Sequence, residues 1–218
     1  MVRVMLVLVV AAVLVLLVLT LVVQTGSAYR LRPLGGTGDV RALVLVHPSR
    51  DSGFSDELAQ AVARGLIEAG LRVDLATLTD ATPARPQGYA LLVVVSNTYW
   101  WAPDRPTRRY LARARWNGLP AIGLMAGAGA TQRSQRLLDR ALNATGARVV
   151  TVEPFWIWRP KDEQRTDQPN RAVAADRARR LGAAGAAMVL SPQAALALAD
   201  RGRPVHTVPD LGEVALQR

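Results

Sequence analysis

The segment that follows the apolar run 42–46 has the residue types of an anion-binding loop. Hydroxyl groups, an arginine and a glycine stand there, just before residues with helical periodicity; the candidates are Ser49, Arg50, Ser52, Gly53, Phe54 and Ser55. At a helix N-terminus the backbone N–H groups are unpaired and lie at the positive end of the helix dipole, so a phosphate group fits there. A plain turn with Ser55 as the helix cap would explain the same residues. This loop alone does not decide between the two.

A second loop has the side chains to contact a flat ligand. It follows the apolar run 90–95, and its candidate residues are Asn97, Thr98, Tyr99 and Trp100. Adjacent aromatic side chains are costly to expose to water unless a flat group covers them. The alternative is that they pack against a helix or a membrane.

A third loop consists of small residues. It follows the apolar run 121–125 and contains Gly127, Ala128 and Gly129. Small residues allow a planar ligand to approach the backbone, although they also make ordinary strand-to-helix turns. Later in the chain, Trp156 and Trp158 either close the ligand site or cover the edge of a sheet, and we expect the second.

Alternating strands and helices must position these loops. Short apolar runs predict strands at 42–46, 71–78, 90–95, 121–125 and 148–152, and amphipathic segments predict helices at 55–69, 106–116, 132–144 and 171–189. Strands that alternate with helices through short connections imply an α/β fold, with a doubly wound parallel sheet covered on both faces. Ligands of such sheets lie beyond the carboxyl ends of the strands, where the strand order reverses. We therefore expect the three loops to meet there.

The N-terminus is predicted to be a membrane anchor. Residues 4–23 contain no charged residue, glycine or proline. As a helix they would cover roughly the 30 Å of a bilayer core, whereas the apolar part of a cleaved signal is about 7–15 residues long. We interpret 1–23 as one transmembrane helix, with a cleaved secretory signal as the alternative. The glycine-rich stretch 24–40 is predicted to be a flexible linker, and 191–218 a peripheral tail.

Charge and composition exclude several function classes. The formal net charge is +10, which suits anionic headgroups or an acidic partner. The arginines are scattered and no nucleic-acid module is recognisable, so we expect no nucleic-acid partner. Absence of cysteine excludes disulfides and thiol catalysis. His47 and His206 have no metal-ligand spacing, and no histidine base can be assigned to Ser52, which argues against a hydrolase.

Together the three loops resemble those of the flavodoxin-like family. Residues 50–55 stand where that family has its hydroxyl-x-hydroxyl-Gly-x-hydroxyl phosphate loop, although Arg50 replaces the first hydroxyl. Residues 98–100 look like its flavin-edge loop, with Asn97 at a position where proline is common. Gly127 and Gly129 match its glycine loop. The similarity covers 41–190, and it implies one domain with parallel strands in the order 2-1-3-4-5.

The resemblance also implies a cofactor and an activity. FMN would be held by all the loop residues named above, with NAD(P)H as the candidate electron donor. We expect a membrane-anchored, FMN-dependent oxidoreductase that passes electrons to a quinone or a similar acceptor. The alternatives are a tethered electron carrier and a degenerate domain that no longer binds flavin. Arg30, Arg32 and Arg41 follow the span and only Arg3 precedes it, which predicts that the domain faces the cytoplasm.

Overall fold

The apolar runs form the strands of one mixed sheet in a computed structural model, which describes residues 2–23, 28–49 and 53–191. The strands are β1 (Leu31–Gly35), β2 (Arg41–Val46), β3 (Arg72–Thr77), β4 (Leu91–Tyr99), β5 (Ala102–Pro103), β6 (Pro120–Gly127) and β7 (Arg148–Trp156). The helices are α1 (Val2–Val23), α2 (Phe54–Glu68), α3 (Arg105–Arg113), α4 (Gln132–Ala144) and α5 (Asn170–Leu190).

The strand order of the sheet is β1-β3-β2-β4-β6-β7, and β5 pairs with the end of β4. β3, β2, β4, β6 and β7 are mutually parallel, and they follow the predicted order 2-1-3-4-5. The prediction of a purely parallel, five-stranded sheet is nevertheless wrong. β1 pairs antiparallel with β3, and β5 pairs antiparallel with β4, so the sheet is mixed.

Helices cover both faces of the sheet, as the alternation of strands and helices predicts. Val44 and Val46 of β2 lie in a core with α2 and α5, while Leu43 and Leu45 lie in a second core with α3 and α4. Successive side chains of a strand point to opposite faces, so one continuous apolar run supplies both cores.

β1 corrects the prediction that 24–40 is a flexible linker. Leu31 pairs with Ala76 and Pro33 with Asp74, with a bulge before Gly35. Gly36 and Gly38 do not provide flexibility, because a Cβ on either would overlap the backbone oxygens of residues 71 and 70. These glycines allow the chain to lie close to the start of β3, and proline is tolerated at an edge strand. Residues 24–27 of the predicted linker lie outside the described residues.

α1 carries the apolar segment Val2–Leu19, which is exposed. By length and composition this segment is able to cross a membrane, and a secretory signal at an N-terminus has the same properties. Beyond Ser191, the predicted tail lies outside the described residues.

Candidate functional site

The carboxyl ends of β2, β4 and β6 open into one cleft with a volume of about 340 Å³. It is lined by Ser49, Phe54, Asn97, Thr98, Tyr99, Ala126, Gly127, Ala128, Ile157 and Trp158. Ligand sites of small molecules have volumes of roughly 300–1,000 Å³. The structure therefore brings the three loops that the sequence singles out to one cleft.

One hydroxyl group of the loop after β2, that of Ser55, makes hydrogen bonds within the loop itself. The buried Ser55 hydroxyl donates to the backbone carbonyl of His47 over 3.3 Å and accepts the backbone N–H of Ser49 over 3.0 Å. Ser55 was predicted to contact a phosphate, but its side chain holds the loop together. Arg50 and Ser52 lie outside the described residues.

The N-terminus of α2 combines a favourable dipole with two carboxylates. Gly53 precedes the helix with φ of 66° and has no side chain with which to cap it. Asp56 and Glu57 lie in the first turn, and the Glu57 carboxylate is bound at both oxygens by the guanidinium of Arg171. Burial raises the pKa of Asp56, and a hydrogen bond from the Ser49 N–H opposes that shift. An anion at this helix end would meet N–H groups and the Asp56 carboxylate together.

Thr98 and Tyr99 belong to a strand, in contrast to the predicted loop. β4 continues to Tyr99 and turns back as a hairpin in which Thr98 pairs with Pro103 and Tyr99 with Ala102. Trp100 and Trp101, at the turn, have φ of 50° and 56°. Positive φ at both central residues defines a type I′ turn, which usually contains asparagine or glycine. Two tryptophans in this conformation carry strain of order 1–3 kcal/mol each, and both side chains are exposed.

Asp104 holds the base of this hairpin, a role that the sequence analysis missed. Its buried carboxylate accepts the Ser96 hydroxyl over 2.9 Å and the backbone N–H of Asn97 over 2.8 Å. The other carboxylate oxygen caps α3 by accepting the N–H of Thr107 over 2.8 Å, and it lies 3.6 Å from Nδ1 of His47. An aspartate just before a helix that has proline in its first turn is a recognisable cap, so the sequence contained this signal.

Asn97 also has a structural role within the site. Its side-chain amide donates to the backbone carbonyl of His47 over 2.9 Å and is buried. This hydrogen bond ties the end of β4 to the loop after β2. Asn97 was predicted to be a cofactor contact; it lines the cleft while its amide is engaged within the protein.

The small residues after β6 serve different purposes. A Cβ on Gly127 would lie 2.5 Å from Cγ2 of Thr131 and 3.2 Å from Cβ of Thr98, so the protein itself occupies that space. Gly129 is more open, with the Arg159 side chain 3.6 Å from the position of a Cβ. Gly127 is therefore required for packing, and Ala128 and Gly129 form the accessible part of the loop.

The chain after β7 completes the cleft with Ile157 and Trp158, which for Trp158 is the alternative that we did not favour from the sequence. The N–H groups of Ile157 and Trp158 donate to the carbonyls of Gly127 and Ala128 over 3.1 and 3.2 Å. Trp158 lies exposed at the cleft, so it does not cover the sheet edge as expected. Trp156 is packed, and its indole N–H donates to the Thr131 hydroxyl over 2.8 Å.

An outer cavity of about 570 Å³ adjoins the cleft. It shares Thr98, Tyr99, Ala128 and Trp158 with the cleft and adds Trp100, Trp101, Gly129 and Ala130. Among the residues that the structure describes, no cluster of three or more His, Cys, Asp or Glu could hold a metal ion. The site is thus a narrow cleft that widens into an aromatic rim.

The shape of this site fits a flat, phosphorylated cofactor such as FMN. Tyr99 and the small residues 126–128 form the walls of the narrow part, and the N-terminus of α2 lies at its end. Flat ligands favour aromatic and small-residue walls, and phosphates favour helix N-termini. The Asp56 carboxylate opposes a phosphate there, whereas the Glu57 carboxylate is paired with Arg171.

Comparison with known proteins agrees with this fold. No family model and no curated protein matches the chain. Similar solved structures include a flavodoxin from the domain Archaea (16% identity, TM-score 0.55, covering 70% of this chain and 100% of that one). They also include flavodoxin 1 from Bacillus cereus (15%, 0.52, 69% and 99%) and a flavodoxin from Streptococcus pneumoniae TIGR4 (18%, 0.51, 69% and 99%). This chain has the flavodoxin-like fold.

Proposed function

We propose that this chain binds FMN in the cleft and acts as a membrane-held oxidoreductase that passes electrons from a nicotinamide cofactor to a quinone or a similar acceptor. The observation that carries the proposal is the convergence of the loops after β2, β4 and β6 on one cleft of ligand size. The flavodoxin-like fold supports it. When bound, FMN supplies the redox chemistry, and the protein supplies position and electrostatics.

The two ends of the cleft would bind different parts of FMN. Ser49 and Gly53, at the N-terminus of α2, would hold the phosphate together with Arg50 and Ser52, which lie outside the described residues. Thr98, Tyr99 and the backbone of 127–129 would enclose the flat ring system, with Trp158 at its outer side. Asn97, Ser55 and Asp104 would act through the loop conformation that their hydrogen bonds maintain.

The outer cavity gives room for the reaction partners. It is open, and the exposed rings of Trp100, Trp101 and Trp158 line it. Flat aromatic surfaces favour flat partners such as a nicotinamide or a quinone ring. The acceptor would approach the cofactor from this side.

We further propose that α1 is retained as an anchor and that the domain faces the cytoplasm, where reduced nicotinamide cofactors are available. The exposed, apolar helix, in which Arg3 is the one charged residue, supports the anchor, and the arginines after it support the orientation. A reporter that is active only after export, fused after Arg218, should show no activity. Strong reporter activity would contradict the orientation.

A degenerate domain without flavin is the second candidate, and Asp56 is the observation that favours it. Its carboxylate lies 3.3 Å from the backbone nitrogen of Ser49, and it shares that N–H group with the Ser55 hydroxyl. A carboxylate near a phosphate also repels it. The two candidates therefore differ in whether FMN binds at all.

FMN titration of the full chain in detergent or nanodiscs separates the candidates. Binding should quench flavin fluorescence and stabilise the fold, by about 2.7 kcal/mol at a hundredfold excess over Kd. Riboflavin, which lacks the phosphate, should bind more weakly if the helix N-terminus holds that group. Absence of both quenching and stabilisation overturns the proposal. FMN binding without NAD(P)H-dependent quinone reduction would favour an electron carrier.

A further inference from the structure

We propose that Trp100, Trp101 and Trp158 form a docking surface for the lipid–water interface of the membrane that holds α1. We call these three residues the tryptophan rim. The inference rests on the anchor of the proposed function, and it concerns a contact between the domain and lipid that FMN binding does not require.

The tryptophan rim is exposed to a degree that is unusual for such large side chains. Trp100, Trp101 and Trp158 are 63%, 55% and 78% exposed. The other two tryptophans are packed: Trp116 is buried, and the Trp156 indole donates to Thr131. Tryptophan combines a large apolar ring with one N–H donor, and it is enriched where hydrocarbon meets water. The rim therefore has the chemistry of a membrane-interface contact.

The path of the chain from the anchor places this rim on the membrane side. β1 is antiparallel to β3, so its first residue, Leu31, pairs with Ala76 near the carboxyl end of β3. The backbone of Arg30 is fixed there as well, because its carbonyl accepts the N–H of Thr77 over 2.9 Å. The chain thus enters the sheet at its carboxyl edge, which is the edge that carries the cleft and the rim.

The connector is too short to turn that edge far from the bilayer. Only residues 24–29 separate Val23, the end of α1, from Arg30. Even fully extended, this stretch spans at most about 25 Å. β4 lies three strands from β1 in the sheet order, a lateral offset of roughly 14 Å. The rim therefore lies within reach of the same membrane surface that α1 leaves.

Arginines beside the rim complement anionic headgroups. Arg105 opens α3, Arg133 lies in the first turn of α4 and Arg159 follows Trp158, and all three are exposed. Acidic residues of the loop 157–169 lie at the same end of the sheet; they are Asp162, Glu163 and Asp167. The edge is thus mixed in charge, so the aromatic rings are the main contacts, and the arginines favour anionic lipid.

Tryptophan fluorescence in brominated lipid tests the contact directly. α1 contains no tryptophan, so emission from the reconstituted, flavin-free full chain reports only on the domain. Bromine on the acyl chains quenches nearby indoles. Because three of the five tryptophans belong to the rim, roughly half of the emission should be lost, in phosphatidylcholine and more so with added phosphatidylglycerol.

Phenylalanine substitutions identify the quenched residues. The triple variant Trp100→Phe, Trp101→Phe, Trp158→Phe keeps apolar rings but removes the reporters, so the remaining emission should be insensitive to bromine. Trp116→Phe is the matched control, since it removes a buried tryptophan and should leave the quenching in place. Trp158→Phe alone lies outside the strained turn; it should remove part of the quenching even if the triple variant fails to fold.

Two results would overturn the proposal. One is tryptophan emission that bromine does not change in either lipid. The rim would then be a surface for a protein partner instead of lipid. The other is quenching that survives in the folded triple variant. FMN titration of the same samples keeps the two proposals separate. Quenching by bromine without FMN binding would support the docking surface and reject the cofactor. FMN binding without quenching would support the cofactor and reject the docking surface.

Discussion

The side-chain amide of Asn97 and the backbone carbonyl of His47 are joined by a buried hydrogen bond of 2.9 Å. The two residues lie at the carboxyl ends of adjacent strands, so this bond couples two loops of the cleft. The Ser55 hydroxyl donates to the same carbonyl. The loop after β2 is therefore positioned from β4 as well as from α2.

Asn97→Ala should destabilise the fold by about 1–2 kcal/mol, because the His47 carbonyl loses its shorter hydrogen bond in a buried place. Denaturant unfolding of the full chain in detergent measures this loss. Asn143→Ala is the matched control, since that amide donates to the Asp139 carbonyl over the same 2.9 Å but is exposed; its effect should stay within about 0.5 kcal/mol. Equal losses in the two variants would contradict the coupling role of Asn97.

Gly127→Ala should cost about 1–3 kcal/mol, because its Cβ would meet Cγ2 of Thr131 at 2.5 Å. Gly129→Ala, which meets nothing closer than 3.6 Å, should be nearly neutral. Thr131→Ser removes the obstructing methyl group and keeps the hydroxyl that accepts the Trp156 indole N–H. Thermal unfolding of the double variant should therefore recover much of the loss; no recovery would mean that another contact makes this glycine necessary.

Asp56→Asn should strengthen FMN binding about three- to tenfold. The substitution removes a negative charge beside the proposed phosphate position, and a screened pair of charges contributes about 0.7–1.4 kcal/mol. Flavin fluorescence titration gives the Kd. Glu68→Gln removes the same charge at the other end of α2, about 20 Å away, and should leave the Kd unchanged. Weaker binding by Asp56→Asn would show that the carboxylate supports the site.

Glu153 should contribute stability that disappears in acid. Burial raises the pKa of Glu153, but hydrogen bonds from Arg177 and the charge of Lys161 outweigh it, so the pKa lies below its ordinary value. The unfolded chain therefore binds a proton at Glu153 more readily than the folded chain does. The stabilisation is present above the pKa that Glu153 has in the unfolded state, and it is lost as the pH falls through the pKa of the folded state. Glu153→Gln should flatten the decline of the denaturation midpoint between neutral pH and about pH 3. An unchanged slope would contradict this assignment.

Lys161 is the only lysine of the chain, so reductive methylation gives one dimethyl-lysine NMR signal. Burial lowers the pKa of Lys161, and the Glu153 carboxylate, 3.2 Å from Nζ, opposes the shift. The signal should therefore titrate below the ordinary lysine value, and Glu153→Gln should move its pKa lower still. A rise in that variant would reverse the expected sign.

The sequence was sufficient for the five parallel strands, for α2 to α5 and for the convergence of three loops. Apolar runs such as 42–46 report which residues are buried, and alternation with helices implies parallel strands. Parallel strands have their carboxyl ends at one edge, so loops after adjacent strands must meet. Gln132–Ala144 was predicted with the bounds that the structure has, since its apolar positions recur at helical spacing.

Other features depend on partners that are distant in the sequence, and only the tertiary structure decided them. β1 forms because the outer edge of β3 offers unpaired backbone groups, whereas its proline and glycine are locally typical of a loop. The Ser55 hydroxyl and the Asn97 amide turn to the His47 carbonyl rather than to the cleft. Trp158 lies at the site because its backbone N–H donates to the carbonyl of Ala128. Periodicity along a chain indicates which residues are buried. Hydrogen-bond partners are set only when separate elements pack together. In this protein those partners decide which of the predicted side chains face the cleft.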